Sequence, residues 1–416
     1  MAHVVVVGAG LGGLPTAYEL RHLLPRAHRI TLIADKPEFT FIPGLIRVAL
    51  NLNPLDEIQL DLEKPIKNRG IEWICGKVTA LNPHAQQMTV EGHQTIDYDY
   101  IAIATGASFA FDEVSGLGPH GGYTHSVCTP EHALKAREAW LEFLENPGPL
   151  VVGAMSGAGC FGPAYEFVLM AERELRRRGL RDRVPVTYIT PEPYAGHLGV
   201  GGLKNARELT NEVMQERGIT VIDNAEVVAI EPDRIVLADN RQFPFQYSMI
   251  LPSFRGVKFL QNLPEVANAR GFVPVLPTCR HPQFPSLYAL GVSVQLDQPE
   301  KTPVPIGFPK SGEITEAMGI AVAHNIAVEL GAINAPLKSP TLEALCFAEF
   351  GDTGIAYIAV PVIPDPITGK RKRSYALRGR WVNWVKAAFE QYFMLKMRWG
   401  LAVPWFELWG LQAIFG

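Results

Sequence analysis

The sequence predicts an α/β protein with two Rossmann-like dinucleotide-binding domains in tandem, followed by a C-terminal amphipathic helical region suited to a membrane interface. Three stretches carry that expectation. An apolar strand, Val4–Val7, runs directly into Gly8-Ala9-Gly10-Leu11-Gly12-Gly13. A second strand and glycine turn follow in Val151–Glu166, VVGAMSGAGCFGPAYE. From Trp381 to Gly416 the chain is crowded with aromatics, including five of its seven tryptophans.

A length of 416 residues allows two or three domains, and 47% hydrophobic with 19% charged residues is a globular composition. The net charge of −4 and the absence of a recognition motif argue against nucleic acid as a partner. Five cysteines, at 75, 128, 160, 279 and 346, are too few and too scattered for a disulfide scaffold. No metal-ligand spacing stands out, so no metal is expected. The opening MAHVVVVGAG lacks a basic region or cleavage site, so no signal peptide is expected. No uncharged apolar run reaches the roughly 18–20 residues of a spanning helix.

The first unit is a strand, a glycine turn, the helical stretch Leu14–Leu24 and a second strand, Arg29–Ala34, ending at Asp35. Gly8 allows the tight turn, Gly10 lets a pyrophosphate approach the backbone, and Gly13 permits close helix–strand packing. Asp35 falls 22 residues past Gly13, where a ribose-binding acid belongs. Tyr98–Gly106, YDYIAIATG, is a buried strand delivering Thr105 and Gly106 in a small-residue turn. Together the two motifs favour FAD over NAD.

The second turn departs from the first. Its glycines are off register for a pyrophosphate, and the next acid falls late, after strand Val184–Thr190, so NADH is a poor fit. Cys160 stands where the last bare glycine would be, and Pro163 suits the first turn of the following helix, Ala164–Arg178. A thiol at a helix N-terminus is expected to favour thiolate, which suggests sulfur redox chemistry. Strand Thr220–Asp223 and short β elements to Leu251 complete this unit.

Cys128 lies in a polar loop before the helical stretch His132–Glu145. Its neighbours His125 and His132 leave two readings open, a metal half-site without a second pair or a small buried filler. Leu287–Val292 is another strand, carrying Gly291. After a Pro-rich loop, Lys310-Ser311-Gly312 opens helix Glu313–Leu330. Backbone amides and Lys310 there make a place for negative charge, such as a reduced flavin ring, or simply a capped helix with a surface lysine.

In the last hundred residues Cys346 and Phe347 precede Gly351-Asp352-Thr353-Gly354, strand Ile355–Val362 and a basic loop, Lys370-Arg371-Lys372-Arg373. Trp381, Trp384, Val385, Ala388, Phe389, Tyr392, Phe393 and Met397 then recur at helical spacing, with Lys386, Lys396 and Arg398 among them. A second apolar segment runs from Leu401 to Phe415. Aromatics beside basic residues suit a helix lying in a bilayer interface; a helical pair packed on the body is the alternative.

Together these residues resemble the sulfide:quinone oxidoreductases, among the two-dinucleotide-binding-domain flavoproteins, over nearly the whole chain. The resemblance rests on Gly8–Gly13 with Asp35, Ala104-Thr105-Gly106, Cys128 with His132, Pro309–Gly312, Cys346 before Gly351–Gly354, and above all Gly159-Cys160-Phe161-Gly162-Pro163-Ala164-Tyr165-Glu166. It implies FAD, with Gly8, Gly10, Gly13, Asp35, Thr105, Gly106, Gly291 and Lys310 around it, and oxidation of sulfide to polysulfide or sulfur with electrons passed to a membrane quinone. Cys160 and Cys346 would be the redox pair. Cys128 would match a cysteine that some members link covalently to the flavin, and His132, His197 and Glu166 would match proton-handling groups. A quinone is expected near Phe347, Tyr392, Phe393 and Lys396. A peripheral, monotopic homo-oligomer on a bilayer is expected, with residues 1–115 and 285–335 forming the FAD domain, 116–284 the degenerate second domain, and 336–416 the C-terminal region.

Two features depart from the family pattern: Gly291 is followed by Val292 rather than an acid, and the lysine-rich loop 370–373 reads as an insertion peculiar to this chain or a subgroup. The rival readings are the flavoprotein subunit of a flavocytochrome c sulfide dehydrogenase, a type II NADH:quinone dehydrogenase, and a non-enzymatic flavin redox sensor. An export signal would favour the first, and an intact second GxGxxG without a cysteine pair the second.

Overall fold

The computed structural model describes residues 1–298 and 300–404. Most of the apolar segment Leu401–Phe415 therefore lies outside the described residues.

Val4 to Val7 are buried with almost no exposure, as a β-branched run must be when both faces of a parallel sheet are covered. The strand His3–Val7 is central in a five-stranded parallel sheet, flanked by Arg29–Ala34 and then Glu72–Cys75 on one side. On its other side lie Tyr100–Ile103 and finally Leu287–Ala289. The last of these enters after the whole second sheet has been laid down. The strand expected to run to Val292 stops at Ala289, because Gly291 takes φ +66° and the chain turns at Gly291–Ser293. Helices Gly13–Leu23 and Gly312–Glu329 cross so closely that a Cβ on Gly319 would stand 2.3 Å from the Thr16 hydroxyl.

The second sheet is also parallel, in the order Ile219–Ile222, Val186–Ile189, Leu150–Ala154 and Tyr247–Leu251. Strand Val186–Ile189 is shorter at both ends than its sequence suggests, since Arg181–Arg183 forms a helical turn before it. Helix Gly162–Arg177 follows Leu150–Ala154 and has Pro163 in its first turn.

The C-terminal region is an antiparallel sheet of Ala344–Glu349, Gly354–Val360 and Arg373–Arg378, with helix Trp381–Trp399 packed on it. That helix has two apolar faces. Val382, Phe393, Met394 and Met397 are buried, while Trp381, Trp384, Val385, Phe389, Leu395 and Trp399 are exposed. The aromatic spacing in the sequence thus merges a core face with a surface face. Among the described residues no helix is long and apolar enough to cross a membrane. Within the basic loop, Arg371 is half-buried and donates to the carbonyls of Val200, Gly201 and Val362.

Candidate active site

The dinucleotide turn is built tightly on one side and left open on the other. Gly8 has φ +106°, and a Cβ there would stand 2.2 Å from the Ala104 carbonyl oxygen; one on Gly13 would stand 1.8 Å from that of Gly8. Gly10 and Gly106, by contrast, face open space. Between them the Thr105 hydroxyl is buried without a hydrogen-bond partner, a condition native structures rarely tolerate without a ligand or water. Asp35 stands exposed just past the end of Arg29–Ala34. Open glycine backbone, an orphaned hydroxyl and a carboxylate at adjacent strand ends fit a dinucleotide such as FAD. Gly291 packs on Thr315, with a would-be Cβ 2.6 Å from its methyl.

The second turn is packed more closely at Gly159, where a Cβ would stand 2.3 Å from the Phe254 ring. The Met155, Ala158 and Phe254 amides donate to Leu251, Met155 and Gly157 carbonyls, and Lys310 N–H donates to Gly159. Ser156 donates to the Pro305 carbonyl at 2.5 Å. Two amides of the turn, Met155 and Ala158, and the carbonyls of Gly157 and Gly159 are thus engaged within the protein.

Where that cradle would end, Cys160 meets Cys346. A Cβ on Gly162 would stand 3.1 Å from the Cys346 sulfur and 3.6 Å from the Cys160 sulfur. The two sulfurs are therefore within about 7 Å of each other. Cys160 sits just before helix Gly162–Arg177, and Cys346 is central in strand Ala344–Glu349. The thiolate expected of Cys160 from its helix N-terminus is corrected by its surroundings. Burial pushes its thiol up to about 11, assisted by the Glu166 and Glu192 carboxylates and opposed only by the Gly162 backbone. Cys346 is raised well above the ordinary range, by burial first and then by Cys160, Glu166 and Glu313. Desolvation of an anion outweighs the field of one helix end here.

Glu166 lies one helical turn beyond Gly162 and accepts from the Lys386 ammonium at 2.5 Å, both side chains nearly buried. Burial lifts Glu166 to about 7 against the pull of Lys386. Glu349 at the end of the Cys346 strand takes a bidentate pair from Arg47, both contacts 2.6 Å. Glu192 is buried and accepts from Tyr165, Thr190 and the Leu198 amide, each at 2.6 Å, and burial lifts it to about 7. Glu349 and Arg47 carry no signal in the sequence, and Glu192 shows there only as the late acid after its strand. Lys386 shows there only as a lysine within an aromatic helix.

The other expected residues are distributed around this centre. Cys128 precedes helix Pro130–Glu145, whose Thr129 cap accepts from the His132 amide at 3.1 Å; burial pushes the Cys128 thiol up to about 11. His132 has its Nε2 3.0 Å from that of His120, against Phe109 and Phe111, and burial lowers it to about 4. His197 is fully buried, with Nε2 2.5 Å from a Glu300 carboxylate oxygen, and burial lowers its pKa while Glu300 opposes. The Lys310 ammonium contacts the Val292 and Val294 carbonyls at 3.0 and 2.7 Å and lies 3.8 Å from the Phe272 ring centre, and burial lowers it to about 7. Lys396 pairs with Glu316 at 2.6 Å in a buried position beside the Tyr392 and Phe393 rings. Phe393 in turn stacks with Phe39, while Phe347 makes its ring contact with Trp381. Among the described residues no cluster of His, Cys, Asp or Glu could hold a metal ion.

Residues 2–304 match the family model described as pyridine nucleotide-disulphide oxidoreductase. The chain is 40% identical over 412 residues to the sulfide-quinone reductase of Aquifex aeolicus, covering 97% of this chain and 93% of that protein. The mitochondrial sulfide:quinone oxidoreductase of Dictyostelium discoideum is 24% identical over 298 residues, covering 69% of this chain and 64% of that protein. The crystal structure of the Aquifex aeolicus sulfide:quinone oxidoreductase superposes with a TM-score of 0.94 at 39% identity, covering 99% of this chain and 95% of that one. The NDH2 structure from Plasmodium falciparum shares only the fold, with a TM-score of 0.69 at 15% identity over 96% of each chain. The chain therefore belongs to the pyridine nucleotide-disulphide oxidoreductase family and, within it, to the sulfide-quinone reductases.

Proposed function

We propose that this FAD-dependent sulfide:quinone oxidoreductase uses Cys160 and Cys346 as a sulfur relay. The observation that carries the relay is the meeting of both sulfurs at Gly162. Hydrosulfide attacks a Cys160–Cys346 disulfide, breaking the S–S bond to leave a persulfide on Cys160 and a thiolate on Cys346. Loss of two electrons and one proton then joins persulfide and thiolate as a trisulfide, so the incoming sulfur stays in the bridge. Glu166 is the base proposed to take the proton. FAD, when bound, supplies the two-electron acceptor and passes the pair to quinone. Repetition lengthens the bridge until polysulfide or sulfur leaves.

Gly8, Gly10, Gly13, Asp35, Thr105, Gly106 and Gly291 are the proposed FAD contacts, with Lys310 close by and Cys128 as the point of a covalent link. Residues 1–115 with 285–335 form the proposed FAD unit, and 116–284 the unit bearing Cys160. His132 and His197 are proposed proton carriers. Tyr392, Phe393 and Lys396, with Phe347, are the proposed quinone neighbours. The exposed face of Trp381, Trp384, Val385 and Trp399 supports attachment to a bilayer interface; the proposed assembly there is a homo-oligomer.

Cys160→Ala and Cys346→Ala should each abolish bleaching of the flavin by sulfide while FAD stays bound; normal bleaching in both would reject the relay. Flavin fluorescence retained on the denatured polypeptide tests the Cys128 link, and its absence argues against one. Particle mass in detergent tests the oligomer, which a monomer would reject.

A further inference from the structure

The carboxylates around the cysteine pair pose a problem for any chemistry that needs Cys346 as a thiolate. Cys346 faces Cys160 just before helix Gly162–Arg177, Glu166 on that helix and Glu313 on helix Gly312–Glu329. Each of these disfavours negative charge on its sulfur, and burial does so more strongly. One cation faces the same sulfur from another element: Lys386, on helix Trp381–Trp399. Its ammonium sits 2.5 Å from Glu166, and both side chains are largely shut off from water, at 13% and 8% exposed. Gly162, on which an added Cβ would meet both sulfurs, and Glu166 are four residues apart and share one helix face.

Tyr357, opposite Cys346 in the sheet, is the further titratable group against that sulfur, and Glu349 and Glu390 face Lys386. Glu349 is held by Arg47 through two 2.6 Å contacts, with Arg173 nearby. Glu390, from Lys386's own helix, faces Arg47, Lys386, Glu349 and Glu57. Lys386 is therefore the cation placed to balance charge at the sulfur gap. It comes from the helix that also presents tryptophans outward.

We propose that Lys386 is a positioning residue of the sulfur site: the C-terminal helix delivers its ammonium to Glu166 beside the sulfur gap, where it offsets the negative charge that forms on the Cys346 sulfur during the relay. The inference rests on the Cys160–Cys346 relay. It gives the C-terminal helix a part in the sulfide half of the reaction, separate from attachment or quinone access.

The test is the pH profile of Cys346 alkylation by iodoacetamide. It is followed by peptide mass spectrometry on the FAD-loaded, full-length protein after thiol reduction under anaerobic conditions. Lys386→Met should move the midpoint of the profile up by one unit or more, slowing alkylation near pH 8 roughly tenfold. Lys386→Arg should restore it. Glu166→Gln, nearly isosteric and so readable even where Lys386→Met fails to fold, should move the midpoint the opposite way by leaving the ammonium unopposed. An unmoved midpoint in Glu166→Gln or in folded Lys386→Met overturns the proposal, as would follow if Glu166 merely took up a proton when the lysine is lost. Its failure is distinct from failure of the relay, which is read by flavin bleaching in Cys346→Ala.

Discussion

Gly162→Ala probes the sulfur gap without touching either cysteine. The added methyl would stand 3.1 Å from the Cys346 sulfur and 3.6 Å from that of Cys160. The nearer contact is tighter than the roughly 3.5–4.0 Å at which such atoms attract, so the Cys346 sulfur must give way by a few tenths of an ångström. Overpacking of this kind costs about 1–3 kcal/mol. Replacing glycine at the start of a helix returns about 0.4–1 kcal/mol through the unfolded chain. Global stability should therefore fall by no more than about 2.6 kcal/mol. The bridge chemistry should suffer more, because added sulfur atoms compete for the same volume. We expect sulfide-driven flavin bleaching, followed anaerobically by stopped flow, to slow about tenfold or more, which corresponds to about 1.4 kcal/mol. Intact mass with and without reductant should show fewer sulfur atoms held between the cysteines. Wild-type bleaching together with wild-type sulfur content would refute the placement of the relay at Gly162.

Other outcomes follow from the same structure. Thr105→Val removes a buried hydroxyl that has no partner in the protein, so FAD affinity should drop while the melting temperature of the FAD-free protein holds or rises; unchanged affinity would exclude that hydroxyl from the cofactor site. Glu192, lifted by burial to about 7 from an ordinary value near 4.5, gives stability that is present below about pH 4.5 and lost as pH rises through about 7. The size is about 3 kcal/mol, because the unfolded chain releases that proton more readily. Thermal melts across this window should lose that share of their slope in Glu192→Gln, and equal slopes would reject the assignment. The exposed Trp384 and Trp399, at 72% and 66% exposure, should matter for attachment. Vesicle sedimentation of the double Ser variant should fall at unchanged fold, and undiminished binding would place the membrane contact elsewhere.

Much of the fold could be read from local chemistry. A valine strand, a glycine turn and an acid at the next strand end are neighbours in sequence, so Gly8, Gly13 and Asp35 announce their arrangement directly. The Cys160 turn was equally legible as a departure from that pattern. Its meeting with Cys346 depends on a strand that enters from the far end of the chain, which no local pattern specifies; there the family resemblance supplied the expectation. The ionisation of Cys160 went the other way from its helix position. The field of a helix end is visible in a sequence, whereas depth of burial and the convergence of Glu166 and Glu192 are tertiary facts. Lys386 was hidden for the same reason. On a basic aromatic helix it looked like a surface charge, and only packing against Glu166 shows that it faces inward. Helix spacing alone could not separate that inward face from the outward one, since both are apolar.

The two inward lysines of the C-terminal helix also govern how the molecule can move. Lys386 is buried against Glu166 and Lys396 against Glu316. Peeling the helix away would strand a buried charge at each place, and breaking such a pair from one side costs roughly 3–5 kcal/mol. The helix therefore cannot serve as a tether on which the body swings. The tryptophans on its outer face are thus held at a fixed height and tilt relative to the sulfur gap.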